Sequence, residues 1–113
     1  MLDDITSVTL STALSGLAQR ERVSANNIAN IDTPNFSASR VNFEDALRSA
    51  VAAGDPASAS FSVTGTGETP GVNGNNVDLD TEVVDDEKTQ MQYSLLSGAI
   101  SAKFSLIDTV LKG

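Results

Sequence analysis

The sequence predicts a mainly α fold: long N- and C-terminal helices forming an antiparallel helical hairpin, with a short middle helix and a flexible Gly/Ser/Asn-rich loop region. Three observations carry this reading. Apolar residues recur at helical spacing over residues 4–31 and again over 81–112. Between them, residues 54–80 hold five of the eight glycines and two of the three prolines. At 113 residues the chain is one domain at most. It divides into an N-terminal helix (1–32), a turn, short helix and loop (33–80), and a C-terminal helix (81–113).

In the first helix, Leu10, Leu14, Leu17, Glu21, Ser24, Ile28 and Ile31 follow the alternating four-three spacing of a helix seam. Two of these positions are polar, which argues against a continuous two-stranded coiled coil. Asp3 or Asp4 can cap its start and suits the positive end of the helix dipole. The first two turns are rich in Thr, Ser and Val, weak helix formers, and are expected to be disordered in a free subunit. Pro34 ends the helix: it pushes Thr33 to an extended conformation, so Asp32-Thr33-Pro34-Asn35 forms a turn.

A second helix is expected from Asn42, a good N-cap, to Ala53, with Phe43, Ala46, Leu47, Ala50 and Val51 on one stripe and Gly54-Asp55-Pro56 as its stop. Phe61-Ser62-Val63-Thr64 reads as a short strand in an otherwise flexible loop. Phe61, Val63, Val72, Val77 and Leu79 are the large apolar side chains of that region. Burying five of them at roughly 2 kcal/mol each cannot offset ordering 27 residues at about 1 kcal/mol or more apiece. Order there is expected to come from a partner.

The last helix has Asp78, Asp80, Glu82, Asp85, Asp86 and Glu87 at its start and Lys103 and Lys112 toward its end, the favourable sense for its dipole. Met91, Leu95, Ala99, Ala102, Leu106 and Val110 form one apolar stripe; Leu96, Ile100, Phe104, Ile107 and Leu111 form another. Together they make an arc broader than one helix partner can cover, so the excess must face other molecules.

Composition narrows the function. The net charge of −8 argues against nucleic acid, which requires Lys and Arg clusters. With no cysteine and no histidine, disulfides and thiolate or imidazole metal sites are excluded. Met1-Leu2-Asp3-Asp4 lacks the basic start of a signal peptide, and no uninterrupted run approaches the ~20 apolar residues of a membrane span. Four Phe, one Tyr and no Trp are thin material for an independent core.

The densest signal is Ser24-Ala25-Asn26-Asn27-Ile28-Ala29-Asn30-Ile31-Asp32-Thr33-Pro34-Asn35-Phe36. Three asparagines in its last helical turns cost roughly 2 kcal/mol of helix propensity, so a compensating role is implied. Asn26 and Asn30 share a face, Ala25 and Ala29 form a small strip beside them, and Ile28 and Ile31 supply an apolar edge. Amides beside small residues suit a helix that hydrogen-bonds neighbours at close range.

Ala-Asn-Asn-Ile-Ala-Asn (residues 25–30), followed by Thr33-Pro34 and the aromatic Phe36, resembles the N-terminal signature of bacterial flagellar rod and hook proteins. Asn35 stands where many members have glycine, a mild departure because Asn tolerates left-handed backbone. A second segment, Gly74-Asn75-Asn76-Val77-Asp78-Leu79-Asp80-Thr81-Glu82, is similar to the stretch before the terminal helix in a proximal rod member of that family; Gln92-Tyr93 follow it. The resemblance implies a proximal rod subunit of the flagellar basal body, self-assembling through its terminal helices into an axial drive-shaft and export channel. It implies packing by the signature residues and by Met91, Tyr93, Leu95, Leu96, Ile100, Phe104, Leu106 and Ile107. It further implies copies of itself, other rod proteins, the rod–MS-ring junction protein and the flagellar type III export gate as partners, with export lacking a cleaved signal and no nucleic acid or small-molecule ligand. The competing readings are a sister proximal rod or other axial protein, against which the second segment discriminates, and a helical export chaperone or adaptor.

Other chemistry is rejected on the residues. Asp78-x-Asp80-x-Glu82 opens like a calcium loop, but Val83 and Thr89 stand where glycine and the bidentate glutamate are required. Gly65, Gly67 and Gly71 miss the dinucleotide spacing. Asn35-Phe36-Ser37 fits a glycosylation triplet of the kind that chance supplies. The acids sit on solvated helix ends where nothing raises a pKa, and no cofactor or enzyme activity is expected.

Overall fold

α1 (Ile5–Ala29) starts where the sequence supplies a cap: the Asp4 side chain accepts the Ser7 amide at 2.8 Å. The structure, a computed structural model, describes residues 4–112; the alternative cap Asp3 lies outside the described residues. The first turns are helical rather than disordered. Weak propensity is overcome there by the cap and by Lys103, whose Nζ lies 2.8 Å from Asp4 Oδ2. That ion pair and the Ser7 amide hold the Asp4 carboxyl down to about 2.

The helix ends at Ala29, two residues before the expected 31, and is capped by Asn30, whose backbone N–H turns back to the carbonyls of Asn26, Asn27 and Ile28. The chain then turns at Thr33-Pro34, and Asn35 adopts φ 61°, the left-handed conformation anticipated for it.

β1 (Ser39–Val41) pairs antiparallel with β2 (Val63–Gly65), Ser39 opposite Gly65 and Val41 opposite Val63. Three residues are too few to show a period of two, so β1 was not legible in the sequence. α2 (Glu44–Ala52) starts after Phe43, without a side-chain cap. Asn42 is not its N-cap: Phe43 holds that position, and the Asn42 backbone N–H extends the strand ladder to Ser62 O (2.9 Å). A 3-10 turn (Pro56–Ser58) leads toward β2.

α3 (Leu79–Lys112) is continuous over 34 residues, about 50 Å at 1.5 Å per residue. Asp78 caps it, accepting the Thr81 amide at 3.3 Å. Asp4 meets Lys103 at one end of the hairpin and Ser24 meets Glu82 at the other, so α1 and α3 are antiparallel.

The core is small: Ala13, Leu17, Val41 and Phe43, with Val23, Leu47, Phe61 and Leu96 packed against them. Phe43 and Phe61 stack with ring centroids 5.3 Å apart. Arg20 lies over the Phe43 ring at 5.0 Å and grips Glu44 with both guanidinium nitrogens (3.0 and 2.6 Å), holding the Glu44 carboxyl below its usual range. Gly16 is what lets the rings approach α1: a Cβ there would stand 2.6 Å from Phe43 and 2.8 Å from Phe61.

The middle region finds its order within the chain, contrary to the expectation that a partner must supply it. The area argument omitted polar partners. Gln19 donates to Phe61 O (3.0 Å), Thr66 to Ala38 O (3.0 Å) and Asn76 to Glu68 O (3.1 Å), so loop carbonyls are satisfied by neighbouring elements. The result is a slender body of 64 × 26 × 15 Å.

Candidate functional site

The signature and the second segment, far apart in sequence, dock on each other. α1 leaves carbonyls without intrahelical donors at its C-terminal end, as every helix does. The buried Asn75 side chain supplies them, its Nδ2 donating to Asn30 O and Thr33 O, both at 2.8 Å. Asn35 N donates to Asn73 O at 2.9 Å. Asn76 continues the clasp, donating from its backbone to Phe36 O (3.2 Å) and accepting the Ala38 amide at 2.6 Å. Gly74, at φ 80°, presses against Asn35 where a side chain would collide with it.

Asn27 is the centre of the second contact. It is 1% exposed, and its amide pairs with both backbone groups of Ser39: Nδ2 to Ser39 O at 2.7 Å, Oδ1 from Ser39 N at 3.0 Å. The same Nδ2 donates to Glu82 Oε1 at 2.8 Å, and Ser24 Oγ donates to Glu82 Oε2 at 3.0 Å. One asparagine thus ties α1 to the edge of β1 and to the first turn of α3. The expectation that all three amides reach neighbouring molecules is corrected here: Asn27 spends its amide inside its own chain. Asn30 is turned on its own helix end, donating to Asn26 O (2.8 Å) and accepting from Thr33 Oγ1 (3.1 Å).

The remaining signature residues divide by face. Ala25, Asn26, Ala29, Thr33 and Pro34 are exposed, while Ile28 and Phe36 are half-buried. In the second segment Asn75 and Glu82 are buried, Gly74 and Val77 are half-buried, and Asp78, Leu79 and Asp80 are exposed.

α3 separates its two stripes. Leu96, Ile100 and Ile107 turn inward and are half-buried. Met91 (65% exposed), Leu95 (68%) and Leu106 (66%) face outward, with Tyr93, Phe104 and Val110 also exposed. Phe104 is therefore not on the buried stripe with which its spacing grouped it. By length and composition α3 is apolar enough to cross a membrane, although Lys103, Asp108 and several serines interrupt every run. None of that apolar window is buried.

Sequence reasoning missed several structural residues. Gly16 carries a signal, since glycine inside a helix costs about 1 kcal/mol and wants a packing reason. Ser39 carries none, because it acts through its backbone; the spacing puts Ser24 on the seam but does not reveal its bond to Glu82. A cleft of about 370 Å³ opens between α1, the strands and the start of α3, edged by Arg20, Arg40, Lys88, Glu44, Glu68 and Asp85. Among the described residues no cluster of three acidic, histidine or cysteine side chains could hold a metal. The geometry is built to fix a hairpin and leave one long apolar face open.

A family model described as flagella basal body rod protein matches residues 9–36, the stretch that ends in the signature. The chain is 33% identical to the flagellar basal body rod protein FlgB of Bacillus subtilis, covering 92% of this chain and 91% of that one. It is 34% identical to the protein of the same name from Borreliella burgdorferi (85% and 87% covered) and 28% identical to that of Escherichia coli K12 (88% of each).

Proposed function

Because the chain belongs to the flagellar basal-body rod protein family, with the FlgB proteins, we infer its working from that premise and from its open face. It is a structural subunit of the proximal rod, not an enzyme, and it assembles with other rod components. The observation that carries the packing mechanism is the outward stripe of α3, where Met91, Leu95, Leu106 and Val110 stay more than half exposed in the isolated chain. An apolar face of that length on a soluble helix is an association surface. Copies of this chain and related rod subunits cover it, with Ala25, Asn26 and Ala29 of the signature offering the facing helix a low surface for close approach. At its base such a rod would meet the rod–MS-ring junction protein and the export gate.

The test separates the two stripes. Leu95→Ala and Leu106→Ala, in a strain lacking the native gene, should leave the subunit's melting temperature within a few degrees of wild type and abolish its recovery in purified basal bodies. Ile100→Ala should lower stability itself, by about 1–2 kcal/mol for a half-buried side chain. Normal incorporation of both leucine variants would remove the stripe from the mechanism.

A further inference from the structure

Glu21 occupies a seam position between α1 and α3, and among the described residues the seam gives it no cation. Its carboxyl oxygen Oε2 is buried with no hydrogen-bond partner among the described residues. One turn on from the Ser24–Glu82 and Asn27–Glu82 contacts, the antiparallel packing sets another carboxylate, Asp86, across the seam from Glu21. The donor that reaches the pair is the Gln90 amide, which is bonded to Asp86 Oδ2 at 3.0 Å. The groups around the cavity beside Glu21 are Leu17 and Ala18 on its own helix and Thr89, Gln90, Tyr93 and Ser94 on α3, with no lysine or arginine among them. The strands and α2 pack on the opposite side, where Arg20, Arg40, Lys88 and Glu44 line the other cleft and Arg20 is committed to Glu44. Two carboxylates can bond each other only by sharing a proton.

We propose that Glu21 and Asp86 form a proton-sensitive latch in the hairpin: ionised, they push α1 and α3 apart one turn from the Ser24–Glu82 end of the seam; with one proton between them, they join it. Burial, then the facing Asp86, both raise the Glu21 carboxyl above its ordinary value. The sign follows. A carboxyl whose folded value is raised contributes stability that is present at low pH and lost as pH rises through the folded value. Near neutrality the hairpin is therefore held below the stability its apolar seam would give, and α3 separates from α1 more easily. This rests on the packing of α1 against α3 and stands or falls independently of the rod reading.

The experiment is thermal unfolding of the full-length chain by far-UV circular dichroism between pH 7.5 and 4.5, comparing wild type with Glu21→Gln and Asp86→Asn. Each variant keeps the side-chain volume and removes one charge. At pH 7.5 both should melt higher than wild type by about 4 °C or more, and the gap should close on acidification. Comparing variant with wild type at each pH cancels Asp4 and Glu44, whose carboxyls are lowered and act in the opposite sense. If wild type shows no cooperative transition at pH 7.5, Glu21→Gln must increase its helical signal there. Variants equal to wild type at pH 7.5, or a gap that persists unchanged to pH 4.5, overturn the latch.

Discussion

Replacing Asn27 with alanine sets helix propensity against the clasp. Alanine regains about 0.6 kcal/mol of intrinsic helix preference. Against that, the exchange removes two hydrogen bonds to Ser39 and one to the Glu82 carboxylate, all between groups with little access to water. The neutral bonds are worth about 1 kcal/mol each and the charged one about 1.5–3 kcal/mol. The net loss is about 3–4 kcal/mol, a large part of the ~5–15 kcal/mol that holds a small domain together. Asn26→Ala is the control, since Asn26 is exposed and the side-chain bond it loses is a 3.2 Å contact from Asn30. It should be neutral to within about 0.5 kcal/mol. Asn27→Asp should be at least as damaging as alanine, because it puts a second carboxylate beside Glu82 in place of the donor. Equilibrium urea unfolding of the three variants, followed by circular dichroism, measures the differences. An Asn27→Ala protein as stable as Asn26→Ala would refute the assignment of Asn27 to the interior.

Two further outcomes follow from the structure. Gly16→Ala should destabilise by about 1–3 kcal/mol even though alanine favours helix, because its Cβ would meet the buried Phe43 ring and the half-buried Phe61 ring; a neutral or stabilised melt would show that the rings can move aside. Asp4→Asn keeps a competent N-cap while removing the ion pair with Lys103. As the Asp4 carboxyl is lowered from 3.8 to about 2, its stabilising contribution is present above pH 3.8 and lost as pH falls toward 2. Wild type should exceed the variant at pH 5 in low salt, with the difference vanishing near pH 2 and shrinking in high salt. A difference that persists at pH 2 would assign the effect to capping instead.

The sequence by itself determined the two long helices and the turn between signature and strand. Their causes are local: apolar spacing at a period near 3.6, acids at α3's start, Pro34 as a stop and Asn35 for a left-handed residue. It also determined that α3 carries more apolar surface than one partner can bury, since that follows from counting positions around a helix. Which stripe turns inward, however, depends on rotation of α3 about its axis, and that is set by distant residues: Asp4 on Lys103, Ser24 and Asn27 on Glu82. The tertiary structure likewise decided that the costly asparagines divide, Asn27 inward and Asn26 outward, because adjacent residues lie about 100° apart around the helix. It decided, too, that the loop orders without a partner. Its order comes from single amides such as Asn75, which close helix-end carbonyls some forty residues away, and no composition or period records a hydrogen bond made across that distance.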